Sequence, residues 1–127
     1  MSPVDSLFNS FSLKSLSMAN RIVMAPMSRY HSPDNIPSEA SAAYYQRRAA
    51  GGVGLILTEG TCPNHIAANG YENVPYFHGE ERLAGWKKVV DQVHAEGGKI
   101  APQLWHCGGI RKRGVMPEGD VDGYTPS

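Results

Sequence analysis

Gly51-Gly52-Val53-Gly54-Leu55-Ile56-Leu57-Thr58-Glu59-Gly60-Thr61 decides how the rest of the chain is read. Val53 to Thr58 is short and almost wholly apolar, the composition of a strand buried on both faces. Strands of that kind sit in parallel sheets, where consecutive strands need a long crossover, usually a helix. The glycines in front of the strand decide the class of fold. A dinucleotide-binding glycine fingerprint follows a strand and opens a helix. Here the glycines follow a helical segment and open a strand, so the nucleotide-binding half of a Rossmann sheet is a poor match.

Upstream of that run, Ser38 is placed to cap a helix, with Glu39 in its first turn. The helix passes through Ala43, Tyr44 and Arg47 and stops at Gly51-Gly52. Ser32-Pro33-Asp34-Asn35, continuing to Pro37, is turn material. Arg21-Ile22-Val23-Met24-Ala25 reads as the first core strand, ended by Pro26, which cannot donate to a ladder. Before it, Phe11/Leu13 and Leu16/Met18 alternate around Lys14-Ser15, the pattern of a short hairpin.

Downstream, Glu59 to Gly79 reads as a long polar loop. Glu80 to Glu96 carries Leu83, Trp86, Val90 and Val93 at helical spacing behind an acidic start, and Gly97-Gly98 ends it. Lys99 to Trp105 reads as a third strand, with Pro102 an irregularity inside it. From His106 onward the chain is glycine-rich and charged. The expected order is a hairpin followed by strand, helix, strand, helix, strand, an α/β pattern that builds parallel sheets. Three apolar parallel strands leave faces and edges uncovered, so a piece of a larger fold is expected.

The 127 residues suit one domain, with 41% apolar and 19% charged residues, ordinary for a globular protein. Twelve basic and twelve acidic residues cancel, so no bulk charge draws the chain to nucleic acid or an anionic membrane. Arg111-Lys112-Arg113 is the one dense basic cluster and reads as a solvated loop, with contact to an anionic ligand as the alternative. Two cysteines are too few for a secreted disulfide scaffold, and no signal segment is evident. No run approaches the ~20 apolar residues that span a bilayer. A cytoplasmic location with reduced thiols is the expectation.

In parallel α/β folds, ligands bind beyond the carboxyl ends of the strands. Those ends are Ala25-Pro26-Met27-Ser28-Arg29-Tyr30, Thr58-Glu59-Gly60-Thr61 and Gln103-Leu104-Trp105-His106. Ala25 and Gly60 are small enough to let a flat ligand reach the backbone. Ser28 offers a hydroxyl, and Gln103 a paired donor and acceptor suited to the uracil-like edge of a flavin. Trp105 and His106 are placed to line the space above such a ring. Taken singly, a strand-end Gln is commonly a satisfied structural amide and a Trp a core residue. The joint pattern at three successive strand ends favours a site.

Three blocks in order carry a family resemblance. They are Leu7-Phe8 with Asn20-Arg21-Ile22-Val23-Met24-Ala25-Pro26-Met27-Ser28-Arg29, then Gly51 through Thr61, then Gly98 through His106. Together they resemble the Old Yellow Enzyme family of NAD(P)H:flavin oxidoreductases, the ene-reductases. The resemblance implies that residues 1–127 are the N-terminal part of one FMN-binding (β/α)₈ TIM barrel, incomplete on its own. It implies that Ala25, Pro26, Met27 and Ser28 touch the isoalloxazine, that Gly60 lies beside it, and that Gln103 bonds its pyrimidine edge. Trp105 would shape the substrate pocket. The implied reaction passes a hydride from NADH or NADPH through flavin N5 to an activated alkene, a small-molecule substrate.

The family's substrate-anchoring His/Asn or His/His pair, its proton-donating Tyr and its phosphate site have no counterpart within the chain. No catalytic residue is therefore assigned, and turnover by residues 1–127 alone is not expected. Two alternatives stand beside this reading. One is an inert truncated fragment or assembly piece, prone to self-association through its uncovered apolar face. The other is a zinc-binding loop protein using Cys62, His65, His106 and Cys107, although adjacent His106-Cys107 is awkward for tetrahedral ligation.

Overall fold

The computed structural model describes residues 2–126. A short antiparallel hairpin opens the chain, with β1 (Phe11–Leu13) paired to β2 (Leu16–Met18) in the register Phe11 opposite Met18 and Leu13 opposite Leu16. Lys14, in the two-residue turn, takes the left-handed backbone that tight hairpins require. Asn20 then fastens the chain beneath the sheet: its Nδ2 donates to Gly52 O at 2.7 Å, and its Oδ1 accepts from the Ile22 N–H at 3.0 Å.

The remaining strands form one parallel sheet in the order β3 (Val23–Met24), β4 (Leu55–Thr61), β5 (Ile100–Leu104). Helix α1 (Glu39–Ala50) joins β3 to β4, and α2 (Glu80–Ala95) joins β4 to β5. Ser38 caps α1 by accepting the Ser41 N–H at 3.3 Å, and Gly52 follows the helix at φ 90°, as the glycine signal implied. Gly97 closes α2 in the same left-handed way.

Both helices lie on one face of the sheet. There Ala42, Tyr45 and Ala49 of α1 meet Trp86, Val89 and Val93 of α2 over Ile56 of β4. Gly85 lets α2 pack closely against the Ile36-Pro37 segment that leads into α1, because a β-carbon there would come within 2.8 Å of Pro37 O. The opposite face of the sheet is largely uncovered: Val23 is exposed, and Leu55, Leu57 and Ala101 are half-buried. The sheet is open at both β3 and β5.

Several details differ from those read from sequence, the third strand among them, which is Ile100–Leu104 instead of Lys99 to Trp105. The first core strand is confined to Val23–Met24 instead of Arg21 to Ala25, because β3 has a single neighbour and pairs only with Leu55 and Ile56. The second strand starts at Leu55 and continues to Thr61, so Glu59 lies inside β4 and the polar loop starts later. Gly60 and Thr61 are drawn into the ladder by Gln103 and Leu104. Pro102 is accommodated where the β4–β5 register shifts between Leu57 and Gly60, and there the Gln103 N–H donates to the Thr58 hydroxyl at 3.2 Å. The buried face of α2 is rotated as well. Trp86, Val89 and Val93 are buried, whereas Leu83 stands about 100° round the helix from the centre of that face and is 44% exposed.

Candidate functional site at the carboxyl ends of the strands

The three strand ends are adjacent because the sheet order follows the chain order. Gly60 and Gln103 face each other across the β4–β5 ladder. Ala25, Met27, Ser28 and Gln103 are exposed, and Pro26 is half-buried. The Ser28 hydroxyl and the Gln103 side-chain amide make no hydrogen bond within the described residues. Two groups with good hydrogen-bonding capacity are thus held at the outer two strand ends, those of β3 and β5, on either side of the Gly60 end of β4.

Gly60 plays a different local part from the one its size suggested. A β-carbon there would fall 2.3 Å from the Trp105 indole, so the glycine makes room for Trp105 as well as for any ligand. The indole stacks on Tyr71 with centroids 5.9 Å apart and 22° between the planes, and Tyr71 meets Tyr30 edge-on at 6.0 Å. An aromatic wall therefore runs across the loops after β3, β4 and β5. Tyr30 falls in the first strand-end stretch but was given no role there, and Tyr71 carried no signal, because nothing in its local spacing separates it from a surface tyrosine.

Glu59 was also missed. It is 2% exposed, and burial pushes its carboxyl above the usual carboxylate range, opposed by the Arg29 backbone N–H and the Arg29 charge. Glu59 Oε2 accepts the Arg29 N–H at 3.2 Å, and the Tyr45 hydroxyl donates to Oε1 at 3.4 Å while accepting the Glu59 N–H at 2.9 Å. The Arg29 guanidinium lies 3.8 Å from the Tyr44 ring centroid, with Nη1 3.9 Å from Glu59 Oε1.

The loops beyond the strands are locked together. Cys62, Ala68, Val74 and Tyr76 form a second core against Tyr71 and Trp105. His106 accepts the Gly108 N–H at Nδ1, which leaves its Nε2 to donate to His65 Nδ1 at 2.9 Å. His65 Nδ1 also accepts the Ala67 N–H at 3.2 Å. Arg111 is not the solvated residue expected from its basic cluster. It is 3% exposed, and its guanidinium donates to the carbonyls of Asn69, Val115, Glu118 and Val121. Arg113 alone of that cluster forms an exposed ion pair, with Asp122. Burial pushes the Cys62 thiol up to about 12, and no group of three or more His, Cys, Asp or Glu among the described residues could hold a metal. An open cleft of about 410 Å³ lies to one side, lined by Asp34, Asn35, Glu72, Asn73, Arg82, Met116 and Pro117, none of them a strand-end residue.

The model of the NADH:flavin oxidoreductase / NADH oxidase family matches residues 6–126. The chain belongs to this family. A 12-oxophytodienoate reductase 7 from Oryza sativa is 38% identical over 89% of the chain and 28% of its own length. A chanoclavine-I aldehyde reductase from Penicillium roqueforti is 41% identical over 80% of the chain and 28% of its own length. Among solved structures, morphinone reductase in complex with tetrahydroNAD superposes with a TM-score of 0.84 at 42% identity, over 92% of this chain and 31% of that one. The Old Yellow Enzyme homologue from Zymomonas mobilis gives 0.85 at 30% identity, over 96% of this chain and 33% of that one. The chain thus spans about a third of the length of these relatives. No helix among the described residues is long and apolar enough to cross a membrane.

Proposed function

We propose that this chain supplies one side of an FMN site in an NAD(P)H-dependent oxidoreductase that reduces activated alkenes. The observation that carries the reading is the pair of polar groups without a hydrogen-bond partner among the described residues, the Ser28 hydroxyl and the Gln103 amide, exposed at the ends of β3 and β5 on either side of Gly60. Groups of this type suit a flat heteroaromatic ring: Gln103 both donates to and accepts from a pyrimidine edge, and Ser28 donates to a ring heteroatom. Ala25, Pro26 and Met27 offer small or apolar contact to the ring, and Gly60 carries no side chain to obstruct it. Trp105, braced by Tyr71, walls the substrate side and keeps water from it. Bound FMN supplies hydride transfer between the nicotinamide and the alkene.

The uncovered face of the sheet supports the proposal that β3, β4 and β5 are consecutive strands of a (β/α)₈ barrel whose remaining strands close over Val23, Leu55 and Leu57. The same face favours a second reading for the chain by itself: a piece that self-associates and does not turn over. One experiment tests both. Residues 1–127 and a full-length protein carrying them are each mixed with FMN, NAD(P)H and an enone. We expect nicotinamide oxidation above the free-flavin background only in the longer protein, with Gln103→Leu weakening its FMN retention by about tenfold through loss of the paired amide. Unchanged flavin affinity in Gln103→Leu would remove Gln103 from the site.

A further inference from the structure

We infer that Glu59 is a positioning residue: its buried carboxylate fixes the backbone at Ser28-Arg29 and so aims the Ser28 hydroxyl at the ring. This rests on the flavin reading above, since the aim of Ser28 matters only if a ring lies against it. The argument starts from the peptide plane. The Arg29 N–H and the Ser28 C=O belong to one rigid unit, so a hydrogen bond to the first fixes ψ of Ser28. That bond goes to Glu59 Oε2 at 3.2 Å.

Glu59 is itself unable to swing away. Its other oxygen faces the Tyr45 hydroxyl, which accepts the Glu59 N–H, and Tyr45 is 1% exposed in the core between α1 and α2. The Arg29 side chain is held separately, over Tyr44 and beside Glu59. The stretch Ala25–Ser28 is therefore anchored by the ladder at Met24 and by Glu59 at Arg29, with φ of Pro26 restricted by its ring. Ser28 has no hydrogen bond of its own among the described residues, so its position is inherited from these anchors. Glu59 does not need to touch the ligand to matter to it.

Replacement chemistry makes the role separable from simple structure. In Glu59→Gln the amide oxygen still accepts the Arg29 N–H while its NH₂ donates to the Tyr45 oxygen, so the conservative variant retains the anchor. Glu59→Leu has no acceptor, and Tyr45→Phe leaves the carboxylate without its brace. The test uses the flavin-loaded protein that carries this chain, reading the visible flavin absorption band, the flavin midpoint potential and FMN retention. Ser28→Ala is the reference.

We expect Glu59→Leu to move band and potential in the same direction as Ser28→Ala and to weaken FMN retention about fivefold to tenfold. Tyr45→Phe moves them less, Glu59→Gln leaves them near the parent, and Ser28→Ala/Glu59→Leu moves them no further than either single change. If Ser28→Ala moves the flavin signals and neither Glu59→Leu nor Tyr45→Phe does, the positioning role is overturned while the flavin reading stands. If Ser28→Ala itself leaves the signals unchanged, the placement of the ring against Ser28 fails, and this inference falls with it. Should Glu59→Leu not fold, Tyr45→Phe and Glu59→Gln decide the question by the same signals.

Discussion

At the scale of single residues, the strand ends hold two positions whose energetics are visible in their surroundings. Gly60 has the Trp105 indole where a β-carbon would stand, at 2.3 to 2.6 Å from three ring atoms. Gly60→Ala must push the indole off Tyr71, and overpacking of this kind costs about 1–3 kcal/mol. Denaturant unfolding should show that loss, together with a change in tryptophan fluorescence. Glu59 makes a second prediction. Its folded pKa is raised, chiefly by burial, so folding favours the protonated form. That contribution is complete below the ordinary Glu value and is lost as pH rises through the raised one. Glu59→Gln has no such titration. The stability of the parent relative to Glu59→Gln should therefore fall as pH rises from the ordinary Glu value through the raised one, measured by urea midpoints over a pH series. A flat difference would mean that Glu59 titrates as an exposed carboxyl does.

At the scale of elements, the βαβ units were legible because their signals are local. The Ser38 cap, the glycine stops and the apolar run Leu55 to Leu57 each act over a few residues. The cap is the cleanest to test. Ser38→Ala removes the acceptor for the Ser41 N–H and should lower stability by about 1 kcal/mol, read from thermal unfolding. The readings that slipped are those where a partner element decides. The extent of β4 depends on pairing with β5, and the bulge at Pro102 depends on Thr58 replacing a ladder acceptor. The helical spacing of Leu83, Trp86, Val90 and Val93 was sound, yet the buried face centres between Val89 and Val93, which pack with Ala42, Tyr45 and Ala49 of α1 over Ile56. Periodicity gives a stripe, and packing chooses its centre.

At the scale of the whole molecule, the loops after β4 and β5 behave as one body. The His65–His106 bond, the small core around Cys62 and the four carbonyls gathered by Arg111 tie residues 62–79 to residues 105–126. Arg111→Met would leave those four carbonyls, one buried and three part-buried, without their donor, at a cost of about 3 kcal/mol. Limited proteolysis should then cut within residues 112–123 of the variant while the parent resists.

What the sequence determined by itself was the α/β order, the Ser38 cap, the glycine stops and the family, and it singled out the strand ends as the candidate site. Those follow from residue type and short-range spacing, which act along the chain. Only the tertiary structure decided that Glu59 is buried in β4, that Arg111 is a loop clamp, and that Tyr71 and Tyr30 join Trp105 in one wall. Each of those depends on residues tens of positions apart meeting in space, and burial of a charge or stacking of a ring leaves no local pattern. Gly60 stands at the border between the two. Its smallness is plain in the run that opened the reading, but that Trp105 lies against it is known only from the fold.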